Sequence, residues 1–427
     1  MNVAASHDRP GERDDQVTPR SRSPFRLLWS ATTVSQVGTQ VSELAIPLAA
    51  ILTLHAGAFE VGVLAALGYL PALLFGLPAG AWADRLPRRG IMITADLARF
   101  AVLATVPAAY SLHVLSIGQL YVVAFCVGAM SVFFDVASPA YLPSLVARED
   151  LARANGRLQV SEQGAAVFGP GMAGWLVGLI GAPLAIAADA ASYLASAAFI
   201  TGIRPGQTIP QRRADRTIST RAQIGEGIRQ VAASRQLRSI AITAAVINLF
   251  GRMMVVLVPL YLVREAGYRP AAIGVVFACG SVGFLIGAAA ADKVAARIGL
   301  GRAIVVGGTV AALALLLIAV PPPRLAGPFI AAAMFIYGLG ALTFTIGNVT
   351  WRQMVTPNEL LGRVTAAMRL LTWAAQPAAA LLAGWLGAQL GLHAALWVGA
   401  AGVSLAPIPL LTARLTVQVP GVESAAV

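Results

Sequence analysis

A short polar segment between two long apolar runs holds a group of four charged residues. It spans residues 80–89 and carries Asp84, Arg85, Arg88 and Arg89. Arg88 and Arg89 suit a basic loop that anchors on lipid phosphates. An acid adds nothing to such anchoring. Asp84 therefore calls for a role other than anchoring.

Asp96 and Arg99 follow in the next apolar run, three residues apart. On a helix this spacing places both side chains on one face, where they can form an ion pair. The pair could be purely structural, or it could extend a network around Asp84. Both alternatives stay open from the sequence.

Single polar side chains also occur deep in apolar runs. Glu43 shares a helical face with Thr39 and Gln36, and Arg252 lies in the middle of a later run. A charge at the centre of a membrane helix costs roughly 2.5–3.5 kcal/mol, so each one needs a partner or a water-filled cavity. Glu43 is a candidate proton site, and Arg252 is either its counter-charge or an anchor for an anionic substrate. Asp135 is a candidate for a gate salt bridge and, second, for a proton site.

The composition indicates whether these charges lie in a soluble protein or in a membrane protein. The 427 residues are 57% hydrophobic and 12% charged, with a mean hydropathy of +0.74. An ordinary soluble domain has about 25% charged residues. A membrane-spanning helix needs about 20 apolar residues to cross about 30 Å of hydrocarbon. Runs of that length predict an all-α membrane protein with twelve spans, placed near 27–54, 61–82, 91–112, 118–142, 157–181, 183–203, 239–263, 270–291, 303–320, 328–351, 363–390 and 392–412.

The basic residues predict the orientation of these spans. The net charge is +12, and 25 of the 31 Lys and Arg residues fall in the tails and loops on the side of the N-terminus. The opposite loops hold only Arg264, Arg269 and Arg324. Under the positive-inside rule both termini are cytoplasmic, and the protein lies in the inner or plasma membrane. The basicity therefore reflects topology and anionic lipids, and no nucleic-acid partner is expected.

The sequence divides into two halves that repeat each other. The polar segment 204–238 is predicted to be a cytoplasmic linker between six-helix bundles at 25–203 and 239–413, with cytoplasmic tails at 1–24, predicted to be disordered, and 414–427. Asp84 is answered by Asp292, 208 residues on, and the string AGWL recurs 210 residues on, at 173–176 and 383–386. An even number of spans in each half makes the two copies parallel, a recurring transporter plan.

Several chemistries have no support in the sequence. The single lysine, Lys293, does not lie in a Gly-Lys-Ser/Thr loop, so an ATPase site is absent. Cys126 and Cys279 lie singly in different spans, and the four histidines are far apart in the sequence. The sequence therefore predicts no metal site, no cofactor and no enzymatic activity.

The motifs resemble those of the major facilitator superfamily. The string GAWADRLPRRG is similar to its G-x-x-x-D-R-x-x-R-R loop motif, matched at Gly80, Asp84, Arg85, Arg88 and Arg89. The strings SQVGTQVSELAIPL, ITADLAR, FFDVASPAYLPSLVAREDLARANGRL and RQMVTPNELLGRV resemble the branch of drug:proton antiporters that includes macrolide and siderophore exporters. The string FGPGMAG looks like a loose version of the antiporter Gly-Pro motif, matched at Gly169, Pro170 and Gly174.

The resemblance implies a transporter fold of two bundles and a function. The expected function is proton-coupled export of a hydrophobic small molecule, such as a drug, antibiotic or siderophore-like compound, by alternating access in a monomer. It also implies that the first span of each half lines a central cavity and that Asp84 pairs across the interface in the outward-facing state. An importer of a small metabolite is one alternative, and a non-transporting membrane sensor or scaffold is another.

Overall fold

The computed structural model describes residues 23–83, 85–203, 220–319 and 322–413, and every regular element within them is helical. The predicted all-α architecture is therefore confirmed. In the first half the helices are α1 (Ser23–Leu48), α2 (Ala58–Ala83), α3 (Arg88–Ser111), α4 (Ile117–Tyr141), α5 (Leu151–Ile180) and α6 (Ala182–Thr201). The helix α1 continues as a π-helical turn at Ala49–Thr53.

The second half repeats this order after one additional helix. Its elements are α7 (Thr220–Ala233), α8 (Arg235–Arg264), α9 (Pro270–Ile298), α10 (Leu300–Ala314), α11 (Leu316–Ala319), α12 (Ala326–Val355), α13 (Asn358–Leu390), α14 (Leu392–Ser404) and α15 (Pro407–Thr412). The short α11 and α15 extend the spans begun by α10 and α14. Each of the twelve predicted spans thus corresponds to a long helix or to a broken pair.

Ten of these helices in the described residues are long and apolar enough to cross a membrane. The two remaining long helices are α1 and α13, whose sequences carry more polar residues. Polar residues in a spanning helix are tolerated where they face protein or water. Their presence in α1 therefore points to a polar environment inside the bundle.

The segment predicted as a linker, 204–238, contains regular structure. The helix α7 lies within it, and α8 already begins at Arg235. Glu226 of α7 forms an ion pair with Arg363 of α13 at 2.5 Å. Gly227 packs against the backbone of Arg363. These contacts fix α7 to the second half.

Glycines with positive φ end the spans at matching places in the two halves. Gly181 joins α5 to α6 and Gly391 joins α13 to α14, both at φ 83°. Glycine reaches this conformation without the steric cost of a Cβ. The two positions are 210 residues apart, the same offset as the AGWL repeat. The repeated sequence therefore includes the glycine turns between the helices as well as the AGWL string.

Within each half the helices pack mainly on non-sequential neighbours. In the first half α1 lies against α5 and α6, and α3 against α4 and α6. In the second half α12 lies against α9 and α10, and α8 against α13 and α14. The two halves meet chiefly where α2 packs on α13 and α5 packs on α9.

The two ends of the bundle carry different elements. The linker end carries Ser23, α7 and Ala413. The opposite end carries the turn at 54–57 and the corners at Gly181 and Gly391.

Candidate functional site

The two halves touch backbone to backbone where α5 crosses α9 near the opposite end. A Cβ placed on Gly174 would lie 2.6 Å from the Pro270 carbonyl oxygen and 2.8 Å from Cα of Gly274. A Cβ on Gly274 would in turn lie 2.5 Å from the Pro170 carbonyl oxygen. Only glycine permits this approach, because any side chain would occupy the space of the other backbone.

A second crossing of the same design joins α2 to α13. A Cβ on Gly384 would lie 2.9 Å from the Ala58 carbonyl oxygen, and a Cβ on Gly62 would lie 2.6 Å from the Ala380 carbonyl oxygen. Gly174 and Gly384 are the glycines of the two AGWL strings. The sequence repeat thus builds both crossings, and they are related by the pseudo-symmetry of the halves.

One further contact ties the halves together at the opposite end. Arg264, at the end of α8, donates to the carbonyl oxygens of His55 at 2.8 Å and of Ala56 at 2.6 Å. A guanidinium group with several fixed donors suits such paired carbonyls. The opposite end is therefore closed by two glycine crossings and by this arginine.

The same helices separate toward the linker end. A Cβ placed on Gly80 of α2, on Gly164 of α5 or on Gly362 of α13 would meet no described atom within 4 Å. In the middle of the bundle Gly76 still packs under the Trp373 ring of α13. The close glycine contacts between the halves, as far as the chain is described, therefore lie toward the opposite end and in the middle of the bundle.

Glu43 lies in the middle of α1, and its side chain is exposed between the halves. Gln40, one turn earlier, donates to its carboxylate at 3.3 Å. Across the gap, Arg252 of α8 lies within electrostatic range but not in direct contact. At this depth an exposed side chain lies in a space inside the bundle, and the role of Glu43 in a proton or substrate cavity stays a prediction.

Arg252 is half-buried on the other side of that cavity and reaches toward the first half. Its guanidinium lies 5.6 Å from the ring centroid of Tyr69 of α2. Tyr337 of α12 lies nearby and meets Phe284 edge to face. The cation–π contact offsets part of the cost of this charge within the bundle.

The other members of the polar stripe on α1 turn toward the interior of the first half. Thr39 hydrogen-bonds with the Tyr193 hydroxyl of α6 at 2.8 Å and donates to the Ser35 carbonyl oxygen at 2.8 Å. Gln36 is half-buried, and its Oε1 is buried without a partner among the described residues. Of the predicted cavity residues on α1, Glu43 is therefore the one whose side chain is exposed between the halves.

The predicted ion pair of Asp96 and Arg99 is present and buried inside the first half. Ser196 of α6 donates to the second carboxylate oxygen of Asp96 at 2.7 Å. Arg99 donates to Ser131 of α4 at 3.3 Å. Its guanidinium lies 4.0 Å from the centroid of the Tyr193 ring. The pair thus fastens α3, α4 and α6 to one another.

A second buried acid, Asp189 of α6, plays a part that the sequence did not assign. Ser192 donates to one of its oxygens at 3.1 Å. The other oxygen faces Ser42 of α1 without a well-formed hydrogen bond. Gly38 of α1 packs directly on Asp189 and Ser192, which brings α1 and α6 together. The small residues Gly38, Ser42 and Ser192 around this acid are a signal only once this helix pair is known.

Asp135 is exposed on the linker-end part of α4. It lies within electrostatic range of Arg99 and of Glu162 of α5. Together with Glu43, the side chains of Asp135 and Glu162 make this side of the first half acidic.

The loop-motif arginines contact helix ends. Arg88 donates to the Ala140 carbonyl oxygen at 2.6 Å, near the end of α4. Arg89 donates to the carbonyl oxygens of Ile200 at 3.1 Å and Thr201 at 2.7 Å, at the end of α6. A cation at a helix C-terminus is stabilised by the helix dipole and by free carbonyls. Anchoring on lipid phosphates is therefore not needed to explain either arginine. Arg85 is exposed, and Asp84 lies outside the described residues.

The Gly-Pro segment of α5 faces two neighbours at once. Gly169 packs on the Gln40 side chain of α1. The Pro170 carbonyl oxygen and Gly174 face α9 at the crossing described above. These residues therefore connect the cavity wall on α1 to the seam between the halves.

Comparison with known proteins agrees with this architecture. A family model described as Major Facilitator Superfamily matches residues 28–378. The chain is 28% identical to the multidrug efflux pump Tap of Mycolicibacterium fortuitum, over 88% of this chain and 92% of that protein. The Tap protein of Mycobacterium tuberculosis is also 28% identical, with 88% and 89% covered.

Solved structures share the fold at low sequence identity. A bacterial homologue of the iron transporter ferroportin in its inward-facing state gives a TM-score of 0.74 at 18% identity, covering 92% of this chain and 99% of that one. Its outward-facing state gives 0.57 at 18% identity, covering 91% and 99%. The nucleoside transporter NupG gives 0.73 at 10% identity, covering 92% and 99%. The chain belongs to the major facilitator superfamily and is a multi-pass membrane transporter of small molecules rather than an enzyme.

Proposed function

We propose that this transporter exports hydrophobic small molecules across the plasma membrane in exchange for protons, by alternating access. Two relatives that match over most of the chain are named multidrug efflux pumps, which supports export as the direction. The excess of basic residues at the linker end supports a cytoplasmic position for that end and for both termini.

In this orientation the structure corresponds to an inward-facing state. The crossings of Gly174 with Gly274 and of Gly62 with Gly384 close the outer side, and the glycines of α2, α5 and α13 nearer the cytoplasm make no such contact. A substrate from the cytoplasm or the inner leaflet could then reach the cavity wall at Glu43 and Arg252. This one-sided opening is the observation that carries the proposal.

The cavity offers the chemistry that exchange requires. Glu43 is exposed to the cavity and has no ion-pair partner in contact among the described residues, so its carboxylate can be protonated without breaking a salt bridge there. A proton on Glu43 would remove the negative charge that faces Arg252 across the cavity. Protonation would therefore change the affinity of the cavity for a charged substrate, which is the coupling an antiporter needs. Asp135, beside Glu162, is the second candidate for the coupling proton.

The gate on the cytoplasmic side is assigned to the loop motif. Arg88 and Arg89 hold the ends of α4 and α6, and Asp84 precedes them in the same loop motif of the sequence. We expect Asp84→Asn to abolish transport, with expression at the membrane near that of the unmodified protein. Normal transport by Asp84→Asn would rule out the gating role.

Everted membrane vesicles test the direction and the coupling together. With an acidic interior, vesicles that contain the transporter should accumulate ethidium, and nigericin should abolish the accumulation by collapsing the pH gradient. Vesicles with the Glu43→Gln variant are the matched control, and they should accumulate little ethidium at any gradient. Accumulation that persists after the gradient is collapsed would contradict proton exchange. Uptake of substrate by right-side-out vesicles would favour an importer.

A further inference from the structure

A cavity of 640 Å³ lies between α1 and α5 at the linker end, apart from the central cavity. It is lined by Trp29, Arg153, Gly156, Arg157, Val160 and Ser161. Neither Glu43 nor Arg252 contributes to it. Its residues have no part in the transport mechanism proposed above.

The shape of this cavity is fixed by one hydrogen bond. The indole Nε1 of Trp29 donates to the Ser161 hydroxyl at 2.8 Å, which joins α1 to α5. The indole ring nevertheless stays 36% exposed, and Val160 is 74% exposed. Tryptophan is enriched at the level of lipid headgroups, where one side of its ring meets acyl chains and its N–H meets polar groups. An exposed Val160 beside it forms an apolar surface suited to an acyl chain.

The charges around the cavity are unbalanced. Arg153 and Arg157 are one turn apart on α5, so both guanidinium groups lie on the same face. Arg26 is exposed one turn before Trp29 on α1 and adds a third positive charge. The acid in contact is Asp150, which pairs with Arg153 at 3.1 Å, and both of those side chains are largely exposed. Arg157 has no ion-pair partner among the described residues.

We infer that this cavity binds an anionic phospholipid, with the phosphodiester between Arg153 and Arg157 and an acyl chain along Trp29 and Val160. Arginine is well suited to phosphate oxygens because its donors form a planar fork. Basic pockets between membrane helices on the cytoplasmic side bind acidic headgroups in this way. The volume of the cavity falls within the range of about 300–1,000 Å³ that is usual for a ligand site.

Native mass spectrometry of the full chain in detergent tests the inference with phosphatidylglycerol as the probe. The double variant Arg153→Gln/Arg157→Gln should bind this lipid at least tenfold more weakly, since each arginine near an acidic headgroup contributes about 1 kcal/mol. The double variant Arg297→Gln/Arg302→Gln is the matched control, because it removes two exposed arginines at the same end of the other half. It should bind within about twofold of the unmodified protein, as its residues lie outside the cavity.

Two further variants make the test specific for the site. Asp150→Asn frees Arg153 from its ion pair and should strengthen binding. Quenching of tryptophan fluorescence by phosphatidylglycerol with brominated acyl chains should be smaller in Trp29→Phe than in the unmodified protein, whose other six tryptophans are unchanged.

Four outcomes would overturn the inference. They are unchanged phosphatidylglycerol binding by the Arg153→Gln/Arg157→Gln variant, equal quenching in Trp29→Phe, equally tight binding of phosphatidylcholine, and displacement of the lipid by millimolar inorganic phosphate. The last result would identify a site for free phosphate instead of a lipid.

Discussion

The two halves of this transporter are alike in how they pack and unlike in where they hold charge. Each half contributes one AGWL glycine, Gly174 or Gly384, to a crossing with the other half. In the first half, the helices α1, α3 and α6 enclose Asp96, Arg99 and Asp189. In the second half, the corresponding region of α10 is packed with Gly307 and Gly308 against Phe344.

Packing between the halves and the placement of charge can therefore differ in how they are shared between two duplicated copies. Close packing must be the same on both sides if the halves are to rotate about a common axis. A buried charge need occur only once, because a single protonation event can bias the whole equilibrium. In the proposed exchange, the second half supplies Arg252 to the cavity, and the first half supplies Glu43 and Asp135.

The largest expected effect comes from the buried ion pair of the first half. Arg99→Met leaves Asp96 uncompensated and should destabilise the protein by about 3–5 kcal/mol. The double variant Asp96→Asn/Arg99→Met removes both charges and should recover most of that loss. Thermal unfolding in detergent measures both. A double variant as unstable as the single one would show that packing, and not the lone charge, dominates.

The two crossings should respond equally to the same substitution. Gly174→Val and Gly384→Val each force a side chain into the opposite backbone, at a cost of about 1–3 kcal/mol to the closed outer side. Transport should fall by about tenfold or more in both variants. Gly118→Val is the matched control, since Gly118 lies at the same end with no described atom within 4 Å of an added Cβ. Loss of transport in only one of the two variants would show that the two crossings are not functionally equivalent.

The cavity charges should alter transport without altering stability. Glu43→Gln and Arg252→Gln each remove one charge from opposite walls of the cavity, and we expect about a tenfold loss of transport rate, equivalent to about 1.4 kcal/mol. Efflux from intact cells measures the rate, and thermal unfolding is the control. A large fall in the midpoint of unfolding would mean that these residues support the fold instead of the exchange.

The smallest effect is expected at the helix ends. Arg89→Gln removes the cation from the end of α6 and should cost about 0.3–1 kcal/mol. In the second half, Arg297 follows Asp292 at the same spacing as Arg89 follows Asp84, but its side chain is exposed, so Arg297→Gln should cost nothing measurable. Unfolding in denaturant compares the two variants. An equal cost would mean that Arg297 has contacts equivalent to those of Arg89.

The sequence predicted the twelve spans because a membrane helix must be apolar over its whole length. It predicted the pair of Asp96 and Arg99 because that contact depends only on the spacing along one helix. The AGWL repeat was visible in the sequence, but its place at the crossings was not, because the contact joins helices 100 or more residues apart. The same limit applies to Asp189 and Ser42, which meet only when α1 packs on α6.

Neither the helix α7 nor the end of the bundle at which the halves touch could be predicted from the sequence. The helix α7 spans 14 residues within a polar segment. Arg363 of α13 stabilises it by contacts with Glu226 and Gly227 of α7. Which end of the bundle is closed depends on contacts between the halves. Glycines without a close neighbour, such as Gly164 and Gly362, cannot be told apart in the sequence from glycines at a crossing, such as Gly174 and Gly384.

The most direct test of the account measures one distance at each end of the bundle in lipid vesicles. Spin labels at Arg148 and Arg297 report the linker end, and labels at Leu112 and Leu325 report the opposite end, with Cys126 and Cys279 replaced by serine. Introducing Gly174→Val should shorten the linker-end distance and lengthen the opposite-end distance, because the variant opens the closed crossing. Two unchanged distances, or two that both lengthen, would contradict alternation between the ends.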